Sequence, residues 1–494
     1  MRWQRCRRLW RWLVGIITVV ALVSAVVAAV ELRVTKPDVM ITIDRSASRG
    51  QSHFAPGMTY TDNFLNYPWG DNDLSAIENV KSLMGNALSF QNTSIMGWGL
   101  PDPWPDPATS EPNNWAALDA RLGLVEETGS TPVITLYGAA WWMKGQLQEN
   151  GRTLLLTQAD EWAPRAFSSR ILDNKMDAWL HLVQRVAERY MAPPYNVRYF
   201  QVWNEMKGYY NPLKNNYDFT TSPGKPNGPN AHHGYTYMYN RVYARLMAVA
   251  ISLGIQTDQI KVGGPYVVMD TWSTRNGQSH PSDLTKAYGT FDERPLDVVK
   301  YWLQHKTGAA FISVDANNTN KDGVNHANAT TAAEKPADIV HWIRSLDGTA
   351  YPGAVDLPIW LGEWYARPYT DWSDDNHSNA IKTFAMMEFL KAGGAVALSW
   401  GGTDEGRAGP RIWANTTAGG GKVLPFYFSY RAFKDHFGPG TNLYRPAISP
   451  AGRVDAVASS DTVMVVNETA TTLLVSVDGN GVSLDPYQVT VLRL

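Results

Sequence analysis

Two periodicities divide this chain. Apolar residues recur three and four apart, the helical spacing, from Leu74 to Leu88, Asn114 to Thr128, Ser168 to Tyr190, Tyr235 to Leu253, Leu296 to His305, Pro336 to Ser345 and Asn376 to Lys391. Between these lie short runs rich in β-branched and aromatic residues, which predict buried strands: Asn92 to Trp98, Pro132 to Tyr137, Tyr199 to Trp203, Ile260 to Val268, Ala310 to Val314, Leu357 to Tyr365 and Ala395 to Trp400. Gly254 stops one helix as a C-cap residue, and Asn113 or Asn114 is placed to cap the start of another. Strands alternating with helices of this length indicate βα units around a parallel sheet. Val39 to Ile43, or a stretch near Thr59, supplies the eighth strand that closes a (β/α)8 TIM barrel. From about residue 420 the pattern changes to short alternating strands with turn signals, as in 461–467 and 473–477 before Asp478-Gly479-Asn480-Gly481. This predicts a small C-terminal antiparallel β-sandwich. The expected division is a barrel over 32–418 and a sandwich over 419–494, packed directly together because no low-complexity linker separates them.

The N-terminus reads as a transmembrane or signal helix over 1–31. Arg2, Arg5, Arg7, Arg8 and Arg11 precede an uncharged apolar run from Leu13 to Val30, close to the roughly 20 residues a helix needs to cross a bilayer. The arginines place that end in the cytoplasm and everything after Glu31 outside it. A retained anchor is expected, although Ala25, Ala28 and Ala29 also suit cleavage and secretion. Cys6 is the chain's one cysteine and lies before the run, so the exported part has no disulfide, thiol nucleophile or thiolate metal site. A net charge of −2 with 18% charged residues excludes a basic nucleic-acid surface. The 20 Trp and 23 Tyr suit a cleft that stacks sugar rings, as well as ordinary core packing.

Two of the strand runs end in a carboxylate. Tyr199-Phe200-Gln201-Val202-Trp203 gives way to Asn204-Glu205, and Ile359-Trp360-Leu361-Gly362 to Glu363. A buried strand that ends in Glu carries a desolvation cost that only a partner or a task offsets. A barrel's reactive side chains stand at the carboxyl ends of its strands, so both glutamates would open onto one face. Two carboxylates at a cleft suffice to cleave a glycosidic bond, one attacking the anomeric carbon and the other protonating the leaving oxygen. His232-His233 with Asp218 lacks metal-ligand spacing, and neither a zinc-protease helix motif nor a G-x-S-x-G elbow occurs. The nearest imitation of a phosphate loop, Gly419-Gly420-Gly421-Lys422, runs on into Val423. Neither a metal nor a cofactor is expected.

Trp203-Asn204-Glu205 after one strand and Gly362-Glu363-Trp364 ending a later one resemble the retaining (β/α)8 glycoside hydrolases of clan A. The order of parts over residues 55–494 is most similar to glycoside hydrolase family 39. The resemblance implies that Glu205, on strand four, is the general acid/base and Glu363, on strand seven, the nucleophile of a double displacement. It further implies that Asn204 binds the sugar 2-hydroxyl and that Trp400 is the platform under the sugar. Where many clan members carry His or Tyr on strand six, this chain has Asp315, which would contact a sugar hydroxyl or an amino sugar. Trp98, Trp141, Trp142, Tyr266, Trp364 and Trp413 would stack on sugar faces or else anchor loops. The expected partner is an extracytoplasmic poly- or oligosaccharide. Retention predicts carboxyl groups about 5–5.5 Å apart, and the acid role predicts that Glu205 titrates above Glu363. An inactive carbohydrate-binding barrel, or a transglycosylase using the same two residues, would keep the same motifs. Oligomeric state is not readable.

Overall fold

In a computed structural model of the chain, which describes residues 36–60, 65, 71–97, 99–224, 232–370, 373–403 and 410–494, the alternation closes on itself. Eight parallel strands, β1 (Ala55–Thr59), β2 (Phe90–Ser94), β3 (Thr131–Leu136), β4 (Tyr199–Val202), β5 (Lys261–Val268), β6 (Phe311–Asn317), β7 (Ile359–Tyr365) and β8 (Val396–Trp400), form a barrel in sequence order. The helices that return the chain are α1 (Leu74–Ala87), α2 (Ala116–Glu127), α3 (Met176–Met191), α4 (Tyr235–Ser252), α5 (Glu293–His305), α6 (Lys335–Ser345), α7 (Asp375–Lys391) and α8 (Pro425–His436).

Local chemistry accounts for these elements. In α3, Trp179, Leu180, Val183, Val186, Ala187 and Tyr190 repeat at the helical period and face the strands. Truncating a fully buried ring such as Trp179 would cost about 3–5 kcal/mol. Helix α4 ends where Gly254 turns left-handed, as expected. Helix α2 starts without a side-chain cap, because the Asn114 amide donates to the Asp102 carbonyl instead.

The barrel interior is not uniformly apolar. A polar chain runs across it just beneath the carboxyl end: Asn92 donates to Thr59, Thr135 to Asn92, Gln201 to Thr135 and Ser313 to Gln201, at 2.6–3.2 Å. Each member satisfies the next, so this buried layer is stabilising and rigid rather than a desolvation penalty.

The first strand is the one near Thr59, not Val39 to Ile43. All five residues of β1 are buried, whereas Val39–Gln51 begins with alternating buried and exposed positions. That alternation suits a strand with one wet face. Val39–Gln51 accordingly pairs antiparallel with Asn442–Ser449 and parallel with Leu473–Val477. The result is a seven-stranded sheet around its own apolar core, built from both ends of the described chain. The expected boundary at 418/419 also shifts: α8 lies on the barrel, with Phe433 edge-on to Phe54 at 5.3 Å and the Tyr430 hydroxyl on the Gly57 carbonyl. The sheet docks directly onto α7, where Lys391 binds Asp455 at 2.7 Å and His377 stacks on Tyr487. Small antiparallel sheets, 144–147 with 153–155 and 170–171, and 271–272 with 281–286 and 289–292, extend the loops after β3 and β5. The apolar run Leu13 to Val30 lies outside the described residues; among those described, no helix is long and apolar enough to cross a membrane.

Candidate active site

Backbone strain marks the point where the chain leaves β4. Trp203, Glu205 and Met206 all have left-handed φ, at 69°, 49° and 53°. Such conformations cost of order 1–3 kcal/mol each and persist only where surrounding packing over-determines them. Here Trp203 supplies that packing. Its buried ring meets Tyr137 at 5.2 Å, Trp179 at 5.7 Å and Tyr209 at 6.1 Å, and its indole N–H donates to the Lys207 carbonyl. The turn thus fixed carries Asn204 and Glu205 over the barrel mouth.

Glu363 is aimed by a different device. Leu361 pairs with Val314 and Glu363 with Asp315, so Gly362 is an extra residue bulged out of β7. A Cβ there would lie 2.6 Å from Ser313 Oγ and 2.9 Å from both Gln201 Oε1 and the Tyr266 ring, which explains a glycine directly before the glutamate. Tyr266, itself left-handed at φ 52° within an irregularity of β5, donates its hydroxyl to the Gly362 carbonyl at 2.9 Å.

Glu205, Asp315 and Glu363 converge as a result, with one carboxylate oxygen of each within 4.8 Å of the others. Asp315 and Glu363 are only 2% and 3% exposed. Lys207 makes an ion pair with Glu205, and the Tyr365 hydroxyl donates to Glu363 Oε1. Glu363 Oε2 and Asp315 Oδ1 are buried without a hydrogen-bond partner among the described residues. Buried oxygens left unpaired are rare in folded proteins, and here they point to a ligand.

The electrostatics reverse one expectation. Burial and the Glu205 charge push the Glu363 carboxyl well above the usual carboxylate range, and burial with both neighbouring acids does the same to Asp315. Burial alone would raise Glu205 too, but Lys207 and a hydrogen bond from Asp315 outweigh it and hold Glu205 below its ordinary value. Both shifts favour the charge on Glu205 over Glu363 in the unliganded protein. The physical reason is Lys207, the cation paired with Glu205.

The aromatic candidates separate. Tyr266, Trp364 and Trp413 are buried, at 1%, 3% and 0% exposure; Trp364 edges the crevice that Trp400 borders, and Tyr266 is a support beneath β7. Trp141 and Trp142 are half-buried and tied by their indole N–H groups to the carbonyls of Pro105 and Trp104. They line a 420 Å³ crevice that none of the three acids lines. Trp400 ends β8 half-buried and borders a crevice shared with Tyr365, the residue that touches Glu363. Trp98 lies outside the described residues. His233 has both ring nitrogens engaged, by Asp173 at 2.6 Å and Tyr209 at 2.9 Å, and stitches the loop after β4 to the loop after β3. Sequence reasoning missed Lys207 and Tyr365. Tyr365 was legible, since period two on β7 puts it on the same face as Glu363.

No family model matches the sequence, and no curated protein matches it. Solved structures do share its architecture. SrfJ from Salmonella typhimurium is 10% identical with a TM-score of 0.56, over 94% of this chain and 94% of that one. A monomeric β-xylosidase from Caulobacter crescentus is 14% identical with a TM-score of 0.50, over 87% of this chain and 76% of that one. A glycoside hydrolase family 30 subfamily 8 xylanase from Clostridium acetobutylicum is 12% identical with a TM-score of 0.51, over 91% and 98%. The fold is that of glycoside hydrolase barrels. The expected closed TIM barrel with an accessory sheet thus holds, and it is a fold shared with these structures.

Proposed function

We propose that this protein is a retaining glycoside hydrolase acting on a poly- or oligosaccharide. The observation that carries the reading is the convergence of Glu205 and Glu363 at the carboxyl mouth, with Glu363 Oε2 buried and unpaired. Their nearest oxygens lie within 4.8 Å. Inverting enzymes hold their carboxyls about 6.5–9.5 Å apart to admit a water, so the spacing supports retention.

The reaction is a double displacement. A Glu363 oxygen attacks the anomeric carbon and the bond to the leaving oxygen breaks, while Glu205 gives that oxygen its proton. Water then adds to the anomeric carbon, returns a proton to Glu205 and releases Glu363. Attack requires the charge on Glu363 and the proton on Glu205, against the direction in which burial and Lys207 bias the two groups. Substrate binding must therefore weaken the Lys207–Glu205 pair, and the proton passes between carboxyls already within reach. Asn204, 3% exposed beside Glu205, is assigned to the substituent at the sugar C2, and Trp400 to the sugar platform. We place the activity outside the cytoplasm, tethered through residues 1–31 or released by their cleavage, on the strength of the arginine-flanked apolar run alone.

The test is the full chain against aryl glycosides, wild type beside Glu363→Ala. We expect the variant to lose roughly 10⁴-fold or more of kcat, and azide to restore turnover as a glycosyl azide of inverted configuration. Wild type inert on activated glycosides and on longer polysaccharides alike would sink the reading in favour of a binding barrel. Glycosyl transfer to an added acceptor in place of hydrolysis would make it a transglycosylase.

A further inference from the structure

Double displacement needs two carboxylates, and this site holds three. Asp315 stands directly opposite Glu363 in the ladder between β6 and β7 and is 2% exposed. Its Oδ1 has no hydrogen-bond partner among the described residues. A third acid in such a place is costly, because burial and two neighbouring carboxyls all oppose its ionisation. Lys207 pairs with Glu205, and the nearby buried Lys335 donates to the Thr319 carbonyl. Neither ammonium makes an ion pair with Asp315. A hydroxyl-binding role would be served by a neutral side chain at no such cost.

We propose that Asp315 recognises an ammonium group on the sugar, so that the substrate carries a free amino sugar, with the amine at C2, in the subsite preceding the scissile bond. This rests on the glycosidase reading of the same site. The C2 substituent is the one beside the anomeric carbon, and it therefore comes nearest the carboxyls that flank that carbon. Charge balance favours the assignment. During attack Glu363 and Asp315 are ionised and Glu205 is protonated; Lys207 and the sugar ammonium supply two matching cations. With a neutral sugar the second anion would have no counter-ion, and Asp315 would stay protonated. An ammonium at C2 also repels the positive charge that develops at the anomeric carbon, and a fixed carboxylate beside it offsets that repulsion in a water-poor site. The site already accommodates an ammonium, that of Lys207 on Glu205.

The experiment compares nitrophenyl 2-amino-2-deoxy-glycosides with their 2-hydroxy and 2-acetamido counterparts, in both anomers and in the gluco and galacto series. Wild type should prefer the free amine by at least about ten-fold in kcat/KM, and Asp315→Asn should bring that ratio close to one whatever its absolute rate. Equal or better turnover of the neutral glycosides by wild type overturns the proposal, as does a preference that survives in the variant. If no glycoside turns over and longer polysaccharides are inert as well, the glycosidase reading has failed, and calorimetry with glucosamine and glucose still decides this one: tighter glucosamine binding lost in Asp315→Asn supports it, and equal affinity overturns it. Stoichiometric calcium binding that depends on Asp315, without sugar discrimination, would make the cluster a metal site and also overturn it. Should Asp315→Asn fail to fold by circular dichroism, the wild-type ratio of amine to acetamide decides alone.

Discussion

The two ends of the barrel are built from the same eight strands and differ in almost every physical respect. The amino end has an 830 Å³ cavity lined by Phe90, Tyr199, Phe311 and Trp360. Those rings pack on one another, with Phe311 and Trp360 stacked at 3.9 Å and Phe90 edge-on to Trp360 at 5.2 Å. Arg344, on the cavity wall, spends its guanidinium on the carbonyls of Ala354 and Leu357. The carboxyl end gathers three converging acids, unpaired buried oxygens, the left-handed Trp203, Glu205, Met206 and Tyr266, and a bulge. Converging carboxylates locate the chemistry in this molecule. Backbone strain and unpaired carboxylate oxygens at the same place point the same way, because packing that holds them there serves a ligand or a reaction.

Breaking each end in turn sharpens that contrast. The largest kinetic effect beyond the nucleophile is expected from Glu205→Gln, which should lower kcat by about 10²–10⁴-fold on glycosides with poor leaving groups and far less on activated aryl glycosides, with stability nearly intact. A uniform loss across leaving groups in a Brønsted series would remove Glu205 from the acid role. At the other end, Trp360→Ala should cost about 3–5 kcal/mol in denaturant unfolding while leaving kcat within a few-fold. A large kinetic loss without destabilisation would mean that the aromatic floor takes part in function. The subtlest effect concerns Asp315→Asn. Burial raises the Asp315 carboxyl above its unfolded value of about 3.9, so its stabilising contribution is full below that pH and is lost as pH rises through the folded value. The variant should therefore gain on wild type in thermal stability as pH climbs from 4 towards neutral. A difference that is flat with pH would show that Asp315 does not titrate as the geometry requires.

Much of this could be read along the chain. The periodic helices and the glutamate-ended strands needed only local information: spacing, β-branching and the cost of burying a carboxylate at a strand end. Gly362 before Glu363 was a local sign of the bulge that aims Glu363. The alternating exposure of Val39–Gln51 matters only once a wet face exists, and so its membership of the C-terminal sheet was decided by long-range pairing with Asn442–Ser449. Aromatic side chains could not be sorted into sugar platforms and anchors either, since a buried Trp413 and a half-buried Trp400 look alike in one dimension.

What the sequence determined by itself was the barrel and its pair of glutamates, because both follow from period and residue type. What only the tertiary structure decided was the balance of charge among Glu205, Asp315 and Glu363. That balance depends on Lys207 pairing with one acid and on burial isolating the other two. Such interactions fall off steeply with distance and dielectric, so they exist only after folding brings three strands to one mouth.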